Sequence, residues 1–170
     1  MNVLRAAWVR FQRWLSDLFP PPPPAYPYHP RGFLLTESEL RFYRTLREAV
    51  AGRYVVCPKP RLADVIDFIP DHPETRWLWR ITSKHVDFVL CRPQNMAILA
   101  VVELDDSSHR RPRRIDRDRF VDKALATAGV PLVRVDVAAE YSASELAERI
   151  NAAITFFSGA PKAKTMAPGS

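Results

Sequence analysis

Residues 97–104 read AILAVVEL. The first six residues of this run are all apolar, and the run is rich in β-branched side chains. Eight residues are too few for a typical helix, and a strand that is apolar on both faces lies inside a sheet that is covered on both sides. We therefore predict a central β-strand here. It ends in carboxylates, because Glu103 and Asp105 project from one face of the strand and Leu104 from the other.

Two further strands are predicted upstream of this central strand. Residues 85–91 read HVDFVLC, and residues 92–95 read RPQN, which is typical of a turn, so this segment and the central strand are expected to form a hairpin. A short β-rich run, Tyr54–Cys57, is closed by prolines on its C-terminal side. The stretch 61–82 carries no clear periodicity and receives no prediction.

Helices are predicted on both sides of these strands. Thr36 and Glu39 form a capping box that opens a helix, and this helix stops at Gly52. The other predicted elements are a helix over 112–128 stopped by Gly129, a strand over 131–137, and a helix from Ser142 or Ser144 to about Phe157. The resulting order, αβββαβα, predicts an α/β fold with a mixed central sheet flanked by helices.

Length and composition indicate one folded domain with appendages. The chain has 170 residues, 47% hydrophobic and 26% charged, which excludes a wholly disordered protein. Seven of its 16 prolines fall within residues 20–30. We predict a helix over residues 1–19, a proline-rich linker over 20–32, the folded domain over 33–158 and a disordered tail over 159–170.

Residues 1–19 predict an amphipathic basic helix. Its large apolar side chains share one arc and its arginines lie outside that arc. The segment lacks the apolar run of a membrane span or secretory signal, so we expect a cytoplasmic protein. Two interpretations stay open: binding at an anionic membrane surface, which would make the protein peripheral at the inner face of the membrane, or docking on a protein, either the folded domain or a partner.

The net charge of +6 is unevenly distributed. Residues 35–158 carry only +1, yet residues 109–119 hold six arginines and two aspartates directly after the acidic end of the central strand. Positive charge beside carboxylates suggests a polyanionic partner. Cys57 and Cys91 lack the spacing of a zinc site, so we predict buried, reduced thiols.

The carboxylates of the hairpin are the candidate chemical centre. If the two strands are antiparallel neighbours, Asp87 approaches Glu103. Carboxylates held close together repel, and the usual relief is a divalent cation or a raised pKa. Oxygen ligands suit Mg²⁺ or Mn²⁺. The alternative is structural, because residues 105–108 read DDSS and could simply form a turn or cap the next helix.

Four segments of this chain resemble bacterial proteins of the domain-of-unknown-function family 2726. They are KHVDFVL (84–90), VELDDSSH (102–109), RDRFVD (117–122) and AGVPLVRV (128–135). That family is assigned to the restriction-endonuclease-like, or PD-(D/E)XK, nuclease superfamily. The resemblance covers about residues 33–157 and leaves out the N-terminal helix and the linker.

The resemblance implies a nuclease core in which Asp87, Glu103 and the backbone carbonyl of Leu104 hold a metal ion. A glutamate of the first core helix sometimes joins them, and Glu39 is the nearest candidate, although its capping box already explains it. The superfamily's catalytic lysine is replaced here by Asp105. The very short patch repair endonucleases are similar in their Asp-rich strand end followed by a histidine, which suggests His109 as the substitute. Arg119 or Lys123 could instead supply the missing cation.

The expected function is Mg²⁺- or Mn²⁺-dependent hydrolysis of DNA, without a small-molecule cofactor. Asp87 and Glu103 would hold the ion, Asp105 would add a ligand or orient water, and His109 would transfer a proton. Phosphate contacts are expected from a basic group consisting of Arg110, Arg111, Arg113, Arg114, Arg117, Arg119 and Lys123. The alternative, motivated by the missing lysine, is an inactive nuclease-fold module that binds nucleic acid or a protein partner.

Overall fold

The computed structural model describes residues 2–19, 26–69, 72–105 and 112–158; for 2–4, 112–118 and 158 it describes the backbone alone. The chain divides into two compact units, Met1–Leu34 and Leu35–Ser170. The predicted tail over 159–170 and the proline run Pro20–Pro24 lie outside the described residues.

The first unit contains helix α1 (Asn2–Leu18), which confirms the predicted helix. Its large apolar side chains are exposed, including Trp8 (59%), Phe11 (48%) and Trp14 (57%). These three rings follow one another along the helix with centroids 6.0 Å apart. Within the described part of the chain, no helix has both the length and the apolar character needed to cross a membrane.

The second unit is a mixed α/β domain, as predicted. Its elements in chain order are α2 (Glu37–Val50), β1 (Val55–Pro58), a 3₁₀ turn η1 (Leu62–Asp64), α3 (Arg76–Thr82), β2 (Phe88–Cys91), β3 (Ile98–Asp105), α4 (Pro112–Ala128), β4 (Leu132–Asp136) and α5 (Ala143–Ser158). The four strands form one sheet in the order β1-β2-β3-β4. The first two pairings are antiparallel, and β3 pairs with β4 in parallel across the α4 crossover.

Helix α2 begins at the predicted capping box. The Glu39 amide donates to Thr36 Oγ1, and the Thr36 amide donates to Glu39 Oε2 at 2.9 Å. The helix ends at Val50, after which Ala51 (φ +47°) and Gly52 (φ +74°) take left-handed conformations. The predicted stop was therefore correct within two residues.

Hydrophobic cores cover both faces of the sheet. On one face, α2 and α5 pack Phe42, Leu46 and Ile150 against β-strand residues such as Phe88 and Val102. On the other face, η1, α3 and α4 form a second core, which contains Leu62, Ile81, Val89, Val101, Val121 and Leu125. Covering on both sides explains why β3 is apolar at every position before Glu103.

The segment upstream of β2 differs from the prediction. We expected a strand from His85, but β2 begins at Phe88, and His85 forms only an isolated antiparallel bridge with Arg61. The Val86 amide donates to Pro60 O at 3.1 Å, and the Leu62 amide donates to Lys84 O at 2.8 Å. Residues 84–86 therefore pair irregularly with the chain around Pro60, where proline supplies no donor and interrupts the ladder.

Candidate functional site

The register of the hairpin brings Asp87 beside the acidic end of β3. Phe88 pairs with Val102, so the next pair in the same antiparallel register is Asp87 with Glu103. The Leu104 amide donates to Asp87 Oδ2 at 3.0 Å. One oxygen of Asp87 therefore lies against the β3 backbone between Glu103 and Asp105.

A lysine that the sequence did not suggest contacts this carboxylate. Lys59 directly follows β1, and its Nζ donates to Asp87 Oδ1 at 2.7 Å and to Glu39 Oε1 at 2.5 Å. The three side chains are partly buried, with exposures of 25% for Lys59, 24% for Asp87 and 18% for Glu39. The structure thus joins the start of α2, the end of β1 and the start of β2 through one ammonium group.

The backbone of Lys59 also contacts neighbouring residues. Its amide donates to Asp87 O at 2.8 Å, and its carbonyl oxygen lies 3.1 Å from His85 Nδ1. Its φ of +57° is left-handed, which costs a non-glycine residue about 1 kcal/mol or more. A strained residue that carries a charged side chain into a cluster of carboxylates is typical of functional sites.

Glu39 serves two structural partners at once, one with each oxygen. Oε2 closes the capping box of α2, and Oε1 accepts from Lys59. Burial raises the pKa of Glu39, but the hydrogen bonds from Lys59 and Thr36 and the Lys59 charge outweigh it, so the pKa lies below its ordinary value of 4.5. Glu39 is therefore ionised at neutral pH.

The same contacts fix the charge of Lys59. Burial lowers the pKa of its ammonium group, but the hydrogen bonds and charges of Asp87 and Glu39 outweigh that effect and hold the pKa above 10.5. At neutral pH this lysine is a fixed positive charge. In this arrangement it is unsuited to act as a general base and well suited to stabilise negative charge.

Glu103 has a different cation. Arg134 pairs with it across the parallel β3–β4 ladder, and Arg134 Nη2 lies 3.4 Å from Glu103 Oε2. The same guanidinium donates to Asp122 Oδ1 of α4 at 2.8 Å, and the Arg134 carbonyl accepts from Arg149. Glu103 is only 12% exposed, so this arginine supplies much of its local counter-charge. Asp87 and Glu103 are backbone neighbours whose carboxylates are neutralised by separate side chains.

The remaining predicted residues are placed as follows. Asp105 is the last residue of β3, is half-buried, and accepts from the Val137 amide through its carbonyl oxygen. The Leu104 side chain packs in the core beneath α2 and α5. Arg119 and Lys123 are exposed on α4, beside a cleft formed with α3. Arg113, Arg114 and Arg117 lie in the part of α4 described by its backbone alone, and His109, Arg110 and Arg111 lie outside the described residues.

The site residues that sequence reasoning missed are Lys59, Arg134 and Asp122. Lys59 stands between Pro58 and Pro60, and a lone lysine held between two prolines at a strand end was the available signal. Arg134 alternates with the buried valines of β4, which puts it on the same sheet face as Glu103. Asp122 gave no signal that separates it from an ordinary exposed helix residue.

Comparison with known proteins identifies the family. A family model described as "Protein of unknown function (DUF2726)" matches residues 31–154. The chain belongs to the DUF2726 family. The matched region holds the whole Glu39–Lys59–Asp87 cluster together with Glu103 and Arg134, and it leaves α1 outside. The chain matches no curated protein and no solved structure.

Proposed function

We propose that the DUF2726 domain of this chain hydrolyses phosphodiester bonds in DNA with the help of Mg²⁺ or Mn²⁺. The observation that carries the proposal is the contact between Lys59 and Asp87, with Asp87 beside Glu103. The PD-(D/E)XK nucleases that the sequence resembles use a lysine next to two acidic residues, and β3 has Asp105 in the lysine's usual place. Lys59, at the end of β1, supplies a lysine to one of these acidic residues, Asp87.

The donor set fits a hard divalent cation. The carboxylates of Asp87 and Glu103 and the carbonyl oxygen of Leu104 are oxygen ligands of the type that Mg²⁺ and Mn²⁺ take. Among the described residues, no three His, Cys, Asp or Glu side chains form a metal-binding group. These ligands would thus need water and a substrate phosphate to complete the shell, which is usual for Mg²⁺. When bound, the ion supplies Lewis acidity and a water of lowered pKa.

Lys59 has an electrostatic role in this proposal. Its raised pKa keeps it protonated, so its ammonium group stabilises negative charge that develops on the phosphoryl oxygens. Asp105 would add a ligand to the ion or orient the attacking water. Proton transfer by His109 and phosphate contacts by the α4 arginines stay predictions.

Plasmid nicking by the full-length protein tests the proposal. With Mn²⁺ present, the wild-type chain should convert supercoiled plasmid to open circles, and Glu103→Gln and Asp87→Asn should abolish this conversion. Glu148→Gln makes the same chemical change at an exposed position of α5 and should nick normally. Circular dichroism spectra that match the wild type show that the fold is kept. Undiminished nicking by Glu103→Gln would reject this site as the origin of the activity.

A second candidate is a module that binds nucleic acid or a protein partner without turnover. The observation that favours it is that Asp87 and Glu103 already have cationic partners, Lys59 and Arg134. A metal ion would have to compete with these two cations for the carboxylates. For such a module, calorimetric titration of Mn²⁺ should give no heat of binding, and Glu103→Gln should bind DNA as the wild type does.

For α1 we propose attachment to an anionic membrane surface at the cytoplasmic face. Its aromatic side chains are exposed, and its arginines lie on the other side of the helix. The full chain should co-sediment with vesicles that contain 30% phosphatidylserine, a composition on the order of anionic natural leaflets. Replacement of Trp8 and Trp14 by Ser should prevent this. Unchanged binding by that variant would favour docking of α1 on a protein partner instead.

A further inference from the structure

A cleft separate from the acidic cluster lies between α3 and α4. It has a volume of about 1000 Å³, which is the upper end of the usual range for ligand sites. Its walls include Trp77 and Arg80 from α3 and Arg119, Phe120 and Lys123 from α4. The proposed function uses none of its aromatic residues.

The aromatic walls of this cleft are flat and parallel. The rings of Trp77 and Phe120 have centroids 6.2 Å apart and an interplanar angle of 4°. The Arg80 guanidinium lies 3.9 Å from the Phe120 centroid and 5.0 Å from the Trp77 centroid. Arg80 shows that these rings stack with a planar group, and a nucleobase that takes the place of its guanidinium would make the same kind of contact.

The cations of the cleft differ from those of the acidic cluster in the ion pairs that they form. Lys59 and Arg134 each pair with two carboxylates. By contrast, among the side chains that the structure describes, no carboxylate forms an ion pair with Arg80, Arg119 or Lys123. Among the described residues of the cleft lining, Asp67 is the one acidic residue. Three cations against one carboxylate in this described part of the lining favour an anionic ligand.

The stacking surfaces and the excess of positive charge among the described residues of the cleft together define the chemistry of the ligand. Single-stranded nucleic acid combines flat bases with phosphates, and proteins that bind it combine aromatic platforms with positive charge. The bases of an intact duplex are stacked on one another and cannot enter between protein side chains. The cleft chemistry therefore matches unpaired nucleotides.

Helix α4 connects the cleft with the acidic cluster. Lys123 lines the cleft, and the adjacent residue, Asp122, binds Arg134, which in turn contacts Glu103. On the α3 side, Lys84 Nζ lies 4.9 Å from the Phe120 ring, and Lys84 is three residues from Asp87. Helix α4 and the segment 84–87 therefore each carry residues of both the cleft and the acidic cluster or its contacts.

We propose that the α3–α4 cleft binds unpaired nucleotides of a DNA strand and thereby selects single-stranded or frayed DNA for the acidic cluster. The selection of a substrate rests on the proposed nuclease function, whereas the binding itself does not. Trp77 and Phe120 stack with bases, and Arg119 and Lys123 contact phosphates. The preference for unpaired DNA is then a property of the cleft.

Fluorescence anisotropy with a labelled twelve-nucleotide thymidylate strand tests binding by the full chain in EDTA, where no metal-dependent cleavage takes place. The wild type should bind this strand at least about tenfold more tightly than a duplex of equal length. Trp77→Leu should weaken strand binding about tenfold. Trp79→Leu is the matched control, since Trp79 is an exposed tryptophan of the same helix outside the cleft lining, and it should bind normally.

The charge contribution needs its own pair of variants. Arg119→Gln/Lys123→Gln removes two exposed cations from the cleft. The slope of the logarithm of the binding constant against the logarithm of the salt concentration should then become shallower by about 1.4 for a single strand. Arg44→Gln/Arg92→Gln removes two exposed arginines elsewhere and should leave the slope unchanged. Because both double variants change exposed residues, loss of folding does not confuse the comparison.

Two results would overturn the cleft proposal. One is equal affinity of the wild type for the strand and the duplex, and the other is equal affinity of the Trp77→Leu and Trp79→Leu variants for the strand. Neither result bears on plasmid nicking, which Glu103→Gln tests separately. If the protein binds the strand normally but does not nick plasmid, the proposed nuclease function is rejected and the proposal for the cleft stands.

Discussion

Replacement of Lys59 by Met tests the ion-pair cluster without any assumption about catalysis. The change removes one ammonium group and keeps a side chain of similar length, so Glu39 and Asp87 lose a hydrogen-bonding cation while the left-handed backbone stays occupied by a non-glycine residue. Both carboxylates are then left partly buried without that partner. We expect the free energy of unfolding to fall.

The magnitude follows from the exposure of the three side chains. Charged hydrogen bonds contribute about 1.5–3 kcal/mol each when well shielded, and exposed ion pairs about 0.2–1 kcal/mol. Lys59, Glu39 and Asp87 are between 18% and 25% exposed, which lies between these limits. We take about 1 kcal/mol for each contact. The sum, about 2 kcal/mol at pH 7, corresponds to a fall in Tm of about 6–10 °C for a domain of this size.

The pH dependence separates an electrostatic effect from a packing effect. The folded pKa of Glu39 lies below 4.5, so its contribution is present above 4.5 and is lost as pH falls through the folded value. The folded pKa of Lys59 lies above 10.5, so its contribution is present below 10.5 and is lost as pH rises through the folded value. The difference between the wild type and Lys59→Met should therefore be full from about pH 5 to pH 10 and shrink towards pH 3.

Urea denaturation followed by circular dichroism at pH 7 and pH 3 measures this difference. Lys59→Arg keeps the positive charge and should recover part of the lost stability at pH 7. Two results would contradict the reasoning. One is a destabilisation below about 0.5 kcal/mol at pH 7, the level of an exposed pair, and the other is a loss that is the same at both pH values.

Two further predictions concern other parts of the fold. Burial, together with the neighbouring Cys57 thiol, raises the pKa of Cys91 to about 11. Burial, the larger cause, remains in a Cys57→Ser variant, so at pH 8 the Cys91 thiol of this variant should react with Ellman's reagent more slowly in the folded protein than in guanidinium. Equal rates would show that Cys91 is accessible. Gly129 follows α4 with φ +71° and has open space around its Cα, so Gly129→Ala should cost about 1 kcal/mol in urea denaturation from backbone strain alone. An unchanged midpoint would contradict that cost.

Local sequence signals predicted most of the fold. The capping box at Thr36, the bounds of α4 and the stop of that helix at Gly129 depend on residues within a few positions of one another, and all were confirmed. The stretch 61–82 gave no prediction because η1 and α3 are short: three and seven residues are too few for a helical period to stand out. Its packing against α4 comes from tertiary contacts.

Strand alternation and the hairpin predicted only one part of the candidate site, the neighbouring positions of Asp87 and Glu103. Asp87 and Glu103 are neighbours because two strands of known sequence form a hairpin. Lys59 is 28 residues from Asp87 and 20 from Glu39, so its role depends on the pairing of β1 with β2 and on the packing of α2. No local pattern contains that information. From the sequence alone, the absence of a lysine two residues after Glu103 therefore motivates the alternative of an inactive module.

The two cations also determine how the enzyme and the inactive module can be told apart. Lys59 and Arg134 stabilise the carboxylates without a metal, so the domain can fold with its acidic residues satisfied. A divalent ion must compete with both, and removal of one competitor should favour the ion. If the site is a metal centre, Lys59→Met binds Mn²⁺ more tightly than the wild type and nicks DNA more slowly, because the same charge opposes the metal and assists the reaction. A module without turnover would show neither change. If the ion pair had only a structural role, there would be no reason for one substitution to tighten Mn²⁺ binding and to slow DNA nicking at the same time.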